Sequence, residues 1–266
     1  MTYDLFDTHA HYTDKRFETE QEGGAEGLLC ALFADGVGKI INVATNCENA
    51  LEVIEQSKKY EGMYAAVGIH PTDCKDCTDI ETEIIKLEEL LKNKEENKIV
   101  AIGEIGFDYY WEPLEKELQY EYFHRQMCLA EKYGLPVIIH DREAHGDTFD
   151  MLMKFSNVKG ILHSCSASAE TVRQLCRTGN WYISFSGTVT FKNAAKVREA
   201  AEATPIDRLL SETDCPYLAP HPFRGKMNHS GLMSYTAATL AEVKGVSEEE
   251  MREILYKNGL KVFNLE

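Results

Sequence analysis

Positive charge is scarce in this 266-residue chain: 28 Lys and Arg stand against 44 Asp and Glu, a formal net charge of −16. That deficit excludes a broad basic face of the kind that tracks along duplex nucleic acid. It does not exclude a phosphate-bearing substrate, because bound cations can supply positive charge locally. No apolar run approaches the roughly 20 residues that span a bilayer, so no membrane association is expected. The N-terminus has no basic region followed by an apolar core. No secretion signal is therefore expected, and a cytoplasmic location is. A second C-x-x-C is also missing. The eight cysteines are scattered and only Cys74 and Cys77 have that spacing, so a tetrahedral cysteine zinc site is not expected. The pair reads as part of a loop, with a redox role the alternative. No linker, low-complexity tract or repeat divides the chain. This points to one domain over 1–266, with no obligate protein partner evident.

What is present is alternation. Apolar runs of strand length at 3–8, 38–44, 63–68, 98–103, 135–140, 158–163, 181–186 and 208–213 are separated by helical patterns. The runs are nearly continuous, as in parallel strands buried on both faces. Ile80, Ile84, Leu87 and Leu91 step along one helix face, and so do Tyr120, Phe123, Met127 and Ala130 before Gly134. Gly36 and Gly179 are candidate stops for two further helices. Ser247 and Glu250 form a capping box that opens a terminal helix. Strand–helix alternation repeated in this way predicts an α/β fold, a (β/α)8 TIM barrel with an extra C-terminal helix. An open doubly wound sheet is the alternative. The missing glycine-rich phosphate fingerprint after the first run weakens its dinucleotide-binding form.

The ends of the runs carry the chemistry. The first run leads to His9 and His11, and residues at i and i+2 of a strand share a face. The third leads to His70, the fourth to Glu104, the fifth to His140, the sixth to His163 and the eighth to Asp214. In a barrel these ends converge on one mouth, where active sites sit. Taken singly, His140 and His163 read as core histidines, and Glu104 and Asp214 as helix caps. Their shared position in repeated units favours a metal centre. Four imidazoles and two carboxylates exceed the needs of one four-coordinate ion, which suggests two. Glu104 is the candidate bridge, His9, His11 and Asp214 would hold one ion, and His140 and His163 the other. Imidazole favours zinc; the carboxylates leave manganese and magnesium open.

The segments Asp7-Thr8-His9-Ala10-His11, Gly68-Ile69-His70-Pro71, residues 102–110 around Glu104, Leu135 to His140, and residues 212–220 around Asp214 resemble the TatD-like family of metal-dependent deoxyribonucleases, amidohydrolase-like barrels. The resemblance spans nearly the whole chain. It implies a (β/α)8 barrel and divalent-metal-dependent phosphodiester hydrolysis, often 3′–5′ exonuclease activity on DNA. The family's ligand positions fall on His9, His11, Glu104, His140, His163 and Asp214. Two segments depart from the family pattern, Ser164-Cys165-Ser166-Ala167 and Met227-Asn228-His229-Ser230, both in positions that shape the pocket. The alternatives are an amidohydrolase, lactonase or phosphotriesterase, and a barrel that binds without catalysis. Relatives of the first kind often bridge their metals with a carbamylated lysine, and Glu104 takes that place here.

With two cations present, Asp214 is the candidate to orient a water and accept its proton. His70 is a candidate for a phosphate contact or for protonating the leaving group, or else a packed strand-end histidine. Arg224 and Lys226, in the loop after the last run, are phosphate candidates. Tyr109 and Tyr110 are candidates to stack a nucleobase, and Arg142 reads first as an ion-pair partner. The expected substrate is a DNA end or a short oligonucleotide.

Overall fold

The computed structural model describes residues 5–77, 79–111 and 115–266, so positions 3 and 4 of the first apolar run lie outside the described residues. Eight strands follow in chain order: β1 (Leu5–Ala10), β2 (Val37–Val43), β3 (Met63–Val67), β4 (Ile99–Asp108), β5 (Val137–Arg142), β6 (Gly160–Leu162), β7 (Trp181–Phe185) and β8 (Leu209–Ser211). Each pairs in parallel with the next, in the order β1 to β8. A parallel bridge between Ala10 and Cys215 and a hydrogen bond from Thr8 Oγ1 to the Ser211 carbonyl, 3.0 Å, join the last strand to the first. The sheet is thus a TIM barrel.

Among the described residues ten helices pack against it: α1 (Lys15–Glu20), α2 (Gly24–Ala34), α3 (Cys47–Lys58), α4 (Ile80–Lys92), α5 (Lys116–Tyr133), α6 (His145–Met153), α7 (Ala169–Arg177), α8 (Ala195–Ala203), α9 (Met233–Lys244) and α10 (Glu248–Phe263). Their ends follow local chemistry. Ser247 caps α10 by accepting the Glu250 N–H, and Gly134 stops α5 at φ 64°. Phe123, Met127 and Ala130 of α5 are buried as the spacing predicts, but Tyr120 is 41% exposed at the helix's outer edge.

Apolar layers outside and inside the barrel hold the fold, with a further cluster around Phe17, Leu29, Ile40 and Met63 where α1 and α2 meet β2 and β3. The larger lies between sheet and helices and includes Val67, Ile102, Ile105, Phe107, Val137, Ile139 and Ile183. The smaller fills the barrel: Phe6, Ile41, Ala66, Ala101, Ile138, Ile161, Tyr182 and Leu210 contribute from all eight strands. Val262 and Phe263 of α10 join this inner cluster, with the Phe263 and Phe6 rings 5.9 Å apart. The terminal helix therefore closes the floor of the barrel. The apolar filling stops partway up and leaves the other end to polar side chains.

β4 runs five residues beyond the end of its apolar run, to Asp108. Its pairing with β5 shifts register between Ile102 and Ile105. Ala101 faces the interior before the shift; after it, Ile105 and Phe107 face the helices and Glu104 takes an inward place. β1 has a similar shift between Asp7 and Ala10. Such irregularities re-aim side chains, and both fall at a residue of the cluster described below. Gly106 is required here: at φ 144°, a Cβ would lie 2.0 Å from the His140 carbonyl oxygen.

Candidate metal centre

The mouth of the barrel gathers five imidazoles and two carboxylates from six strand ends. Glu104 stands at the centre, 3% exposed, with its two oxygens facing different neighbours. Oε2 lies 3.2 Å from His9 Nε2 and 3.6 Å from His11 Nε2. Asp214 Oδ1 completes that group, 3.6 Å from His9 Nε2 and 3.4 Å from His11 Nε2. Oε1 lies 2.6 Å from His140 Nδ1 and 2.8 Å from His163 Nε2. His70 Nε2 is farther from Oε1, at 3.5 Å.

The outer nitrogens decide which imidazoles can act as ligands. A ligating ring needs its proton on the nitrogen that faces away from the centre. His11 Nδ1 donates to the Val43 carbonyl, 2.9 Å, which frees Nε2. His140 Nε2 donates to Asp108 Oδ2 at 3.0 Å, and His163 Nδ1 to Glu212 Oε1 at 3.1 Å. Each of these two rings is therefore backed by a carboxylate, a common support for metal-bound histidine. His70 is built the other way round. Its Nδ1 faces Thr72, 3.2 Å from the N–H and 2.7 Å from the hydroxyl oxygen; where it accepts from both, the proton of the neutral ring sits on Nε2 and points inward. In that form His70 is a hydrogen-bond donor to the centre rather than a ligand. His9 Nδ1 is buried without a hydrogen-bond partner among the described residues.

Electrostatics fit a cation site. Burial acts to raise the Glu104 pKa, but His163, His70 and His9 outweigh it and hold the acid well below its usual range. Asp214 is lowered in the same way, against burial, by His11, His9 and His163. Burial acts to lower the His11 pKa, yet Asp214 and Glu104 push it up to about 10. His140 and His163 are also raised by their carboxylate neighbours against burial. His9 is lowered, by burial first and then by His163. The acids are thus kept ionised, and protons on the imidazoles balance them. A divalent cation at the same points would release those protons.

Among the described residues, ligand-competent atoms fall into three groups within 4.8 Å, two of which share His9: His9, His11 and Asp214; His70, Glu104 and His140; and His9, His163 and Glu212. Hydrogen-bond roles and distance sort them. Glu212 Oε1 is taken by His163 Nδ1 and by the Ser164 N–H, 2.8 Å, so Glu212 supports from outside. His70 stands farther from Glu104 Oε1, at 3.5 Å, than His140 and His163 do. What remains is one group on each oxygen of Glu104, and nitrogen and oxygen donors of this kind suit zinc, manganese or similar cations.

A family model for TatD-related DNases matches residues 6–264. The chain belongs to the TatD family. It is 40% identical over 263 residues to YabD of Bacillus subtilis, named an uncharacterized metal-dependent hydrolase, covering 98% of this chain and 99% of that protein. It is 34% identical to YcfH of Escherichia coli K12, which has the same description, over 98% and 96% of the two chains. The crystal structure of YJJV, a TatD homologue from Escherichia coli K12, superposes with a TM-score of 0.90 at 30% identity over 99% of each chain. A TatD-family protein of this kind is a metal-dependent hydrolase.

The cleft over this TatD-family centre has a volume of about 460 Å³. Its wall includes His11, His70, Glu104, His140, His163 and Asp214, and extends past Thr13 and Lys15 to Asn46 and Asn49. Three of the expected substrate contacts lie elsewhere. Tyr109 points into a separate groove with Lys116 and Asp147; its hydroxyl donates to Asp147 Oδ2 at 2.7 Å. It shares the outward face of β4 with Ile105 and Phe107, an alternation hidden by the register shift. Arg224 is exposed, its guanidinium 4.7 Å from the Phe191 ring centre, and Lys226 lies over Phe223. Arg142 makes no ion pair among the described residues; it lies over Tyr110.

Sequence reasoning assigned no role to Asp108 or Glu212, although both stand in the segments that carried the family resemblance. Their spacing gave a signal, each lying an even number of residues from a ligand candidate. Two buried glutamines of α5 were also missed. Gln126 Oε1 accepts the Ile69 N–H and its Nε2 donates to the Ile69 carbonyl; Gln119 clamps the backbone of Asp108 in the same two-way manner.

Proposed function

We propose that the protein is a two-metal phosphodiesterase that trims nucleic-acid ends, most simply a 3′–5′ exodeoxyribonuclease on DNA ends or short single strands. The observation that carries this reading is the divided carboxylate of Glu104. One oxygen serves His9, His11 and Asp214, and the other serves His140 and His163. These six residues would hold the metals, with one Glu104 oxygen turned to each group. When bound, divalent cations there would supply activation of an attacking water and neutralise the developing charge of phosphoryl transfer.

The chain's own groups do the rest. Asp214, 18% exposed at its side chain, faces both the first group and the cleft. It orients the attacking water and accepts its proton. His70 presents Nε2–H to a phosphate oxygen, in keeping with its inward proton. Lys15 is the one Lys or Arg among the described residues in the cleft wall. With a net charge of −16 over the whole chain, one cleft lysine suits a strand end better than a duplex track. The cleft volume of about 460 Å³ sits low in the range of roughly 300–1,000 Å³ for small-ligand sites. It matches a terminal nucleotide.

The test is digestion of end-labelled single-stranded DNA with added zinc, manganese or magnesium, and with a chelator. An amide, a lactone and a phosphotriester substrate are run alongside. Release of mononucleotides from the 3′ end, abolished by the chelator, is expected. Turnover of one of the other substrates with intact DNA would replace the nuclease reading. Asp214→Asn should fold normally and lose about 10²–10⁴-fold in rate, the usual worth of a general base; a rate within twofold of wild type with both metals bound would remove Asp214 from that role.

A further inference from the structure

Two large aromatic side chains stand in solvent beside this centre. Tyr110 is 48% exposed and Trp111 is 56% exposed, and they meet edge to face with ring centres 4.9 Å apart. Isolated surface aromatics are ordinary. This pair is not isolated. The Arg142 guanidinium lies 3.9 Å from the Tyr110 ring centre and 5.6 Å from that of Trp111. Arg142 is the last residue of β5, two positions after His140, and its register partner on β4 is Asp108.

One carboxylate ties this cluster to the catalytic face. Asp108 Oδ2 accepts from His140 Nε2 at 3.0 Å, and Asp108 Oδ1 accepts the Tyr110 N–H at 2.9 Å. The aromatic pair is therefore held one side chain away from a proposed ligand. It lies on the β4–β5 side. The recess of the cleft lies on the opposite side, with Thr13, Lys15, Asn46 and Asn49.

We infer that Tyr110, Trp111 and Arg142 form a base-stacking platform that receives a nucleobase of the strand leaving the cleft. The inference rests on the nuclease reading above and adds a direction to it. The terminal nucleotide enters the recess toward Lys15, its phosphodiester sits over Glu104, and the next bases run out across Tyr110 and Trp111. Flat aromatic faces suit bases of any sequence, and a guanidinium beside them favours the phosphate backbone. The platform thus favours single-stranded ends, because a base inside a duplex has both faces covered by its stacked neighbours.

Intrinsic fluorescence reads this directly. The chain has two tryptophans, and Trp181 is 1% exposed in the core, so quenching by added ligand reports on Trp111. The metal-loaded protein is titrated with a hydrolysis-resistant phosphorothioate hexadeoxynucleotide and with an abasic strand of the same length. Quenching by the first and not by the second is expected. Trp111→Ala and Tyr110→Ala should raise KM for a normal oligonucleotide by roughly 10-fold each with kcat within twofold, and leave KM for the abasic strand unchanged. Equal quenching by both strands, or an unchanged KM in both variants while wild type still digests DNA, would overturn the platform and leave the nuclease reading standing. If DNA is neither bound nor cut by wild type, both readings fall together.

Discussion

The two halves of the metal centre are built differently although they share Glu104. On the β4–β6 side, each imidazole is backed by a carboxyl side chain, His140 by Asp108 and His163 by Glu212. On the β1–β8 side, His11 leans on a backbone carbonyl, and His9 Nδ1 has no partner among the described residues. Position there is set one residue type further out. Asp7 accepts from the Thr213 N–H, the Thr213 hydroxyl, the Ser230 hydroxyl and the His9 N–H, and so pins β1 against the end of β8. The first half is tuned through carboxyl groups behind the ligands, the second through backbone placement. The ligand numbers differ too. The β1–β8 group has three side chains besides Glu104, and the β4–β6 group has two. A four-coordinate ion in the second group would keep a position open, as catalytic sites do.

Substitutions can break this contrast. Glu104→Gln should affect both halves at once. It removes the shared charge among five imidazoles, so metal content should fall in both groups. Metal-assisted charge stabilisation is worth several kcal/mol and each 1.36 kcal/mol is tenfold, so activity should fall by about 10³-fold or more. Metal analysis alongside the DNA assay checks it; loss of one ion with the other retained would mean that the carboxylate is not a bridge.

Asp108→Asn and Glu212→Gln should act on one half only. Each keeps an acceptor for its imidazole but replaces the carboxyl group behind it with an amide. Loss of an outer partner typically lowers metal affinity or activity by about 10–100-fold. Competition with a chromophoric chelator should show one weakened ion and one unchanged. Equal weakening of both would remove the distinction between the halves.

Thr213→Val should have the smallest effect on chemistry and a clear one on stability. It deletes the 2.6 Å hydrogen bond to the buried Asp7 carboxyl group. Burial pushes the Asp7 pKa up to about 7, so the bond contributes between about 0.5 kcal/mol for the neutral acid and about 3 kcal/mol for the carboxylate; the denaturant midpoint should drop accordingly while turnover stays within a few-fold. An unchanged midpoint would show that the remaining donors hold Asp7 unaided, and that β1–β8 placement does not depend on this contact.

Much of this was readable along the chain. Parallel strands buried on both faces leave near-continuous apolar runs, and all eight runs correspond to strands. Repetition of a strand–helix unit places every strand end on one face, so the side chains after each run could be gathered without coordinates. His9, His11, Glu104, His140, His163 and Asp214 were legible for that reason. Tertiary structure alone decided what each polar group does there. The tautomer of His70 depends on the Thr72 N–H curling back to it, and no spacing rule reports that. The outward turn of Tyr109 follows from a register shift in β4 that can be seen only against β5. The partners Asp108 and Glu212 became meaningful when the barrel closed, because a hydrogen bond between distant residues is a property of three-dimensional distance. Local chemistry sets which elements form and which groups they carry to the rim; the packing of strand against strand sets where each lone pair and each proton points.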